Sequence, residues 1–447
     1  MPQSIEETRA ILLGHCALDG NTAAKDDSMA ELARLADTAD ILSLGTYVQR
    51  REKIHPRTFI GEGFIETSIA HAEKNEADGI TDLLIFDHDL TGSQARNIEK
   101  RFSLPVMDRT EVILRIFHAH ARTREARLQV RLAQLKYELP RVKSMWGHLD
   151  RERSGSRTGG GAAFRGMGEK QSEMDRQKLQ REIYEIEKTL KKLVRQIDTQ
   201  KKLRKKRCRN VGLVGYTNAG KSTLFNRLTN ARVLVEDKLF ATLDSTSRSL
   251  QLGNGKEAVI SDTVGFISNL PHHLVASFRA TLKEAEEADF LLHVTDISDE
   301  NHQKHMADVE TVLKTIGADR IPQILVFNKI DRVSEAEKGN IQRSYPDAQF
   351  ISAATGRNVD LFLQNLRECL HPTATVTLLM PLMEQKRIHD IHNMGKVLET
   401  AYEDDGVRMT VEMAREDMRP LEKYLVQSSH PNPLNPGGSH GNQRSDA

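Results

Sequence analysis

The stretch Gly215-Tyr216-Thr217-Asn218-Ala219-Gly220-Lys221-Ser222 fits the pattern G-x-x-x-x-G-K-[ST], and few patterns restrict a fold more tightly. Such a loop works only where a buried strand stops and a helix starts, because its backbone N–H groups must converge on phosphate oxygens. The flanks suit it. Asn210 to Val214 is apolar and strand-like, and behind Thr223 the residues Leu224, Phe225 and Leu228 recur at helical spacing. Gly215 and Gly220 let the backbone come close to phosphate, Lys221 carries a point charge to the β and γ oxygens, and Ser222 offers a hydroxyl to Mg2+. The fold class expected from this core is α/β and multidomain.

Further pieces follow in a fixed order. Phe240-Ala241-Thr242-Leu243-Asp244 lies where a switch loop belongs, with Thr242 as the residue that senses Mg2+ and the γ-phosphate and Thr246 as its rival. The apolar run Val259-Ile260-Ser261 leads into Asp262-Thr263-Val264-Gly265, where a carboxylate at a strand end can hold Mg2+ through water and the Gly265 N–H can meet the γ-phosphate. After the strand Ile324 to Phe327 comes Asn328-Lys329-Ile330-Asp331. Asp331 can accept from the ring N1–H and the exocyclic amine of guanine, Lys329 can lie along the base, and Asn328 can tie this loop to the phosphate loop. Ser352-Ala353-Ala354 would bring a backbone N–H to guanine O6. Together they point to GTP and GDP rather than to adenine nucleotides, with Ser222, Thr242 and Asp262 as the metal set and Lys221 and Gly265 stabilising charge during hydrolysis. After Gly265 stands Phe266, which cannot orient water as the Gln of many GTPases does, so intrinsic hydrolysis is expected to be slow, or rescued by groups from a partner. Asn218 raises a second metal ion, because an Asn here resembles GTPases that hold K+ where an arginine finger would bring charge; alternatively it only pins the loop.

At 447 residues the chain has room for about three domains. Up to about residue 120, short apolar runs (Ile11 to Leu18, Ile41 to Val48, Leu83 to Asp87, Pro105 to Met107) alternate with helical patterns, which predicts a parallel sheet with crossover helices. Gly61-Glu62-Gly63 reads as a turn before a helix rather than a phosphate site. The period then changes. Leu128, Leu132, Leu135, Leu139 and Val142 form one stripe, and Leu179, Ile183, Ile186, Leu190, Leu193 and Ile197 another, which suits a seam between two long antiparallel helices. Pro140 should kink or break the first, and the Gly/Arg-rich stretch from Ser154 to Gly168 should be a loop at the tip. The net charge of +1 hides a basic run from Lys191 to Arg209, the footprint of a polyanion site such as RNA. It contains no aromatic residue for stacking on bases.

Near the C-terminus, Thr375 to Met380 and Val407 to Met413 read as strands, Ile388 to Tyr402 and Ala414 to Leu425 as helical, and Ser428 onward as a disordered tail. The expected domains are 1–120 (α/β), 121–206 (helical hairpin), 207–370 (GTPase), 371–427 (small α/β) and 428–447 (tail). Cys16, Cys208 and Cys369 are isolated, without metal or disulfide spacing, which suits a reducing cytosol. The pairs His389/His392, His118/His120 and His272/His273 lack a third ligand, and no apolar run reaches the roughly 18 residues of a membrane span. A cytoplasmic monomer is expected, with peripheral attachment to a membrane left open.

Beyond these pieces, the chain resembles the HflX GTPases. The likeness runs through Gly215 to Asn226, Phe240 to Asp244 and Asp262 to Pro271, and outside that region through Leu128 to Leu135, Leu139-Pro140-Arg141 and Arg57 to Gly63. The resemblance implies an N-terminal α/β domain, a helical hairpin, a GTPase domain and a small C-terminal domain. It implies action on the large ribosomal subunit and its ribosomal RNA, and in some members the splitting of stalled ribosomes under stress. At the tip the sequence departs from the family: Lys170 replaces Thr and Ser172 replaces Leu, which bears on tip-dependent activity and not on GTP binding. Some members use ATP to unwind RNA, but no second phosphate loop is found here. Two alternatives thus stand beside the ribosomal reading, an ATP-dependent RNA remodeller and a nucleotide-gated switch for a non-ribosomal protein.

Overall fold

The computed structural model describes residues 8–75, 80–146, 173–193, 208–229, 238–240, 246–253, 256–268, 274, 279–403 and 405–429. The chain forms two compact units, Met1–Asn358 and Val359–Ala447.

The first unit begins with an all-parallel sheet of order β2-β1-β3-β4, made by β1 (Thr8–Cys16), β2 (Ile41–Arg50), β3 (Leu83–Phe86) and β4 (Val106–Asp108). The crossover helices are α1 (Thr22–Thr38), α2 (Glu62–Asn75) and α3 (Gly92–Phe102), and α4 (Arg109–His120) follows the last strand. Gly61-Glu62-Gly63 opens α2. Helix starts are set locally. Thr91 with Gln94, and Asp108 with Glu111, form reciprocal capping boxes that satisfy orphan N–H groups. Central β3 is buried along its whole length, as a strand covered by helices on both faces must be.

Helix α5 (Arg124–Trp146) runs on through Pro140 without a break. Its Leu128, Leu132 and Leu135 meet Leu179, Ile183, Ile186 and Leu190 of a second helix, α6, at residues 173–193. Ion pairs Arg131–Glu182 and Lys136–Glu187 (2.8 and 2.9 Å) flank this seam. Arg141, the residue after Pro140, anchors the far end of α5. It donates to the Leu90 carbonyl (2.7 Å) and to Asp108, and lies 3.6 Å over the Tyr137 ring, which fixes α5 on the N-cap of α4. Burial and the neighbouring Asp108 push the Glu111 carboxyl there up to about 7. The tip residues 154–168 and the basic residues from Arg195 to Arg207 lie outside the described residues.

A second sheet of order β10-β9-β8-β5-β7-β6 carries the nucleotide motifs. Its strands are β5 (Arg209–Gly215), β6 (Thr246–Gly253), β7 (Lys256–Asp262), β8 (Phe290–Asp296), β9 (Gln323–Asn328) and β10 (Gln349–Phe350), parallel except for β6 against β7. Helices α7 (Lys221–Thr229), α8 (Arg279–Glu286), α9 (His302–Ile316) and α10 (Glu335–Ser344) complete it. One apolar cluster joins the two sheets' layers: Leu35, Ile116, Phe117 and Ala133 pack with Tyr216, Phe240, Val264 and Ile267.

In the second unit α11 (Val359–Leu370), which sequence pattern groups with the nucleotide domain, precedes an antiparallel sheet of order β12-β13-β11-β14. Three expectations are corrected here. Helix α12 (Gln385–Met394) stops at Gly395, and residues 395–403, expected to be helical, form β12 (Gly395–Glu403). The reason is Gly395: a Cβ there would stand 2.7 Å from the Glu412 carbonyl of β13 (Gly406–Ala414), so glycine permits the close pairing. The helical stretch expected from Ala414 to Leu425 is a short α13 (Arg415–Met418) followed by a 3-10 turn (Arg419–Tyr424), because Pro420 removes a helix donor. Finally, Ser428 and Ser429, assigned to the tail, pair with Val376 and Thr375 of β11 (Thr373–Met380) as the end of β14 (Leu425–Ser429). No helix among the described residues is long and apolar enough to cross a membrane.

Candidate functional site: a phosphate loop and a base loop at the strand ends

The site gathers at the C-terminal ends of β5, β7, β8 and β9, where parallel strands leave a crevice. Gly215 has φ +152° and a Cβ on it would lie 2.1 Å from the Val294 carbonyl. Gly220 has φ +91° and a Cβ there would lie 2.2 Å from Asn328 Nδ2. Neither position admits a side chain. Asn218 adopts φ +59°, a conformation that Asn tolerates better than most residues. Lys221 and Ser222 open α7, with Thr223 in its first turn.

Lys221 is buried, and its ammonium donates to the Gly215 and Tyr216 carbonyls at 3.1 and 2.7 Å. Burial depresses its pKa to about 8, against the pull of Asp262. The same charge, added to burial, holds His293 of β8 down at about 4. A Cβ on Gly265 would stand 3.0 Å from Lys221 Nζ and 2.9 Å from Thr217 Cγ2, so the bare Gly265 backbone lies directly against the phosphate loop. Ser222 Oγ donates to Asp262 Oδ2 at 2.6 Å, and Asp262 is fully buried. One anionic and one neutral hard oxygen, side by side at a helix N-terminus, fit Mg2+, which takes one or two protein ligands and fills the rest with water and phosphate.

Other members of the expected set point elsewhere. Thr263 donates its hydroxyl to the Leu213 carbonyl at 2.5 Å, and Val264 sits in the shared apolar cluster. The Phe266 ring is buried among Val214, Leu282 and Leu313, while its backbone exchanges hydrogen bonds with the phosphate loop: Thr217 N to Phe266 O, 2.7 Å, and Phe266 N to Gly215 O, 3.1 Å. Phe240 (φ +56°) stacks edge-on against Phe117 at 4.7 Å and accepts from His120 Nδ1 at 2.9 Å. Ala241, Thr242, Leu243 and Asp244 lie outside the described residues, and Thr246 opens β6 opposite Asp262.

At the base end, Asn328 is a bridge. Its Nδ2 donates to the Ala219 carbonyl and its Oδ1 accepts from Ala353 N, both at 2.9 Å. Lys329 adopts φ +65° and pairs with Asp296 at 2.7 Å, and Ile330 is buried beneath the turn. The hydrogen bond from Ser352 holds the Asp331 carboxyl below its ordinary value, so it is ionised and can accept two donors from a base. Ala354 follows in the same turn.

Several contacts at the site carry no local sequence signal. Tyr216, counted among the phosphate-loop residues, turns its side chain away from the loop: its hydroxyl donates to Glu31 of α1 and accepts from Ser268 N at 2.7 Å, and its ring stacks on His305 at 3.8 Å. Glu31 also binds Arg109, which pairs with Asp87 at 2.8 Å; Lys25 reaches Asp87 at 2.7 Å. Ser268 Oγ donates to Asp308 at 2.7 Å, and Arg109 reaches the Ser268 carbonyl at 3.4 Å. Arg227 donates to the carbonyls of Ala353 and Ala354. These contacts link positions far apart in the chain, and no spacing rule would have found them.

Residues 26–118 match the family described as "GTP-binding GTPase N-terminal", residues 120–204 "GTP-binding GTPase Middle Region", and residues 210–329 "50S ribosome-binding GTPase". The chain is 39% identical over 403 residues to "GTPase HflX" of Caldanaerobacter subterraneus subsp. tengcongensis, covering 90% of this chain and 91% of that one. It is 40% identical over 402 residues to "GTPase HflX" of Escherichia coli, covering 89% and 92%. Among solved structures, a GTP-binding protein of Sulfolobus solfataricus in complex with GDP aligns over 80% of this chain and 98% of its own, at 22% identity and a TM-score of 0.43. With identity of this extent over nearly the whole length, the chain belongs to the HflX family and is a GTPase.

Proposed function

We propose that this GTPase grips the large ribosomal subunit in its GTP state, lets go on hydrolysis, and in doing so separates stalled ribosomes into subunits. The observation that carries the reading is the match of residues 210–329 to a family described as "50S ribosome-binding GTPase". The α5–α6 pair supports it. Lys191 and Lys192 stand exposed in the last described turn of α6, where the basic run of the sequence begins, and such a run favours a polyanion through counterion release.

In the site, Gly215 to Ser222 would wrap the phosphates with backbone N–H groups, and Lys221 would release its two loop carbonyls to meet the β and γ oxygens. Ser222 and Asp262, with Thr242 from the switch loop, would hold Mg2+, which when bound neutralises charge on the β- and γ-phosphates. The Gly265 N–H would stabilise charge on the transferred phosphoryl group. Asp331 would select guanine, with Lys329 along the ring and a Ser352–Ala354 N–H on O6. Phe266 is buried in the core and orients no water, so the ribosome would supply what is missing, with K+ at Asn218 as a further source of charge. The protein would act as a cytoplasmic monomer.

Sedimentation with ribosomes and separated subunits, in GDP and in a non-hydrolysable GTP analogue, tests this. Co-migration with the large subunit only in the analogue is expected, with 70S particles giving way to subunits. Equal sedimentation in both nucleotides would overturn it.

A further inference from the structure

Arg227 sits in the last turn of α7, six residues beyond Lys221, and faces the base loop rather than the phosphates. Its Nε donates to the Ala353 carbonyl at 3.1 Å and its Nη2 to the Ala354 carbonyl. The turn is drawn in behind it: Gly356 N donates to Ser352 O at 2.8 Å, and Gly356 has φ +87° with Arg227 Nη1 3.4 Å from where a Cβ would stand. On the other side, Ser352 N donates to Arg357 O (3.0 Å) and Ala353 N to Asn328 Oδ1 (2.9 Å). Two of the three N–H groups of Ser352-Ala353-Ala354 are thus spoken for within the described residues, and the Ala354 N–H remains.

That N–H shares a peptide plane with the Ala353 carbonyl. In a trans peptide the two point in opposite directions, so a carbonyl fixed on Arg227 fixes the direction of the Ala354 N–H. A guanidinium on the carbonyl also polarises the same peptide and strengthens its donor. We infer that Arg227 is a positioning residue for base recognition: by clamping the Ala353 and Ala354 carbonyls it presents a loop N–H to the 6-oxo group of guanine. This deepens the guanine-site reading and rests on it.

The test compares GDP with 2-aminopurine riboside diphosphate, which keeps the 2-amino group and lacks both the 6-oxo group and the N1–H that Asp331 would accept, so the readout is the effect of the Arg227 substitutions on each nucleotide. Dissociation constants are measured by calorimetry on the full chain, for the wild type, Arg227→Met and Arg227→Lys. The wild type should favour GDP. Arg227→Met should weaken GDP about five- to tenfold, the worth of one hydrogen bond, and leave the analogue within about twofold. Arg227→Lys, which keeps one donor, should fall between, and keeps the test open if Arg227→Met fails to fold. Equal weakening of both nucleotides, or an unchanged ratio, would overturn the assignment. A wild type that does not discriminate between the two nucleotides would sink the guanine-site reading itself, a separate outcome.

Discussion

Replacing Tyr216 by Phe removes one oxygen atom and nothing else, yet that oxygen joins the phosphate loop to α1 and to the segment after Gly265. Tyr216 is 6% exposed and Ser268 7%, so water can replace neither contact. Loss of a hydrogen bond to a carboxylate is worth about 1.5–3 kcal/mol, and a buried N–H left without its acceptor costs about 1–3 kcal/mol. Glu31 keeps Arg109 and Ser268 Oγ keeps Asp308, so the total should settle near the lower end of the sum, about 3 kcal/mol. The stacking of the ring on His305 survives, so no packing loss adds to this. Burial first, and then the Glu31 charge, push the Tyr216 phenol up from its ordinary value, so it stays protonated and the penalty should be flat from about pH 6 to 9. Urea unfolding followed by far-UV circular dichroism would read the loss. A double-mutant cycle with Glu31→Gln should give a coupling of about 1–3 kcal/mol. A penalty under about 0.5 kcal/mol, or strict additivity with Glu31→Gln, would refute the reasoning.

Other expectations concern charge. Arg109→Met leaves Glu31 and Asp87 buried without their shared counter-charge and should cost about 3–5 kcal/mol. In the wild type, burial pushes the Asp87 carboxyl up, but Arg109 and Lys25 more than offset this and hold it below its ordinary value, so its stabilisation is present above about pH 4 and lost as pH falls through the folded-state value. In the variant Asp87 keeps Lys25 but loses the larger of its two counter-charges against an unchanged cost of burial, so protonation relieves part of the loss and the penalty should be smaller at pH 5 than at pH 8; equal penalties in urea melts at both would contradict the assignment. Asp331→Asn should weaken GDP about a hundredfold and favour xanthosine diphosphate, whose 2-oxo group accepts from the new amide; unaltered base choice by calorimetry would exclude Asp331 from recognition. Replacing K+ by Na+ should slow GTP hydrolysis severalfold if Asn218 helps hold the ion, and equal phosphate-release rates would remove that role.

What could be read from the sequence, and what could not, divides by the range over which the chemistry acts. A phosphate loop imposes fixed spacing on adjacent residues, so the run from Gly215 to Ser222 stands out as a pattern, and Asp262 stands out as a carboxylate that ends an apolar strand. The parallel N-terminal sheet and the leucine seam were legible for the same reason: strand alternation and helical periodicity are local patterns. The strand β12 was not, because an edge strand exposed along most of its length shows little alternation and, directly after a helix, looks like more helix until Gly395 is seen against the Glu412 carbonyl.

The partners that fix the site's geometry obey another rule. Glu31 meets Tyr216 across 185 positions of sequence, and Arg227 meets Ala353 across 126. In each pair a charged side chain satisfies a polar group that the motif itself leaves exposed to burial: a phenol on the far side of the phosphate loop, and two carbonyls of the base loop. A motif specifies what touches the nucleotide and leaves the outward-facing groups of the same residues to be satisfied elsewhere, because any buried donor or acceptor must find a partner. Those partners are set by which elements pack together, and α1 and α4 reach the phosphate loop only because the first sheet and the second share an apolar cluster. The segment from Gly265 to Ser268 is therefore held from two directions, by Phe266 backbone bonds to the phosphate loop and by Tyr216, Arg109 and Asp308 around Ser268. Any shift of Gly265 relative to Lys221 must carry or break bonds that end in the N-terminal sheet layer, which ties that layer physically to the phosphate loop.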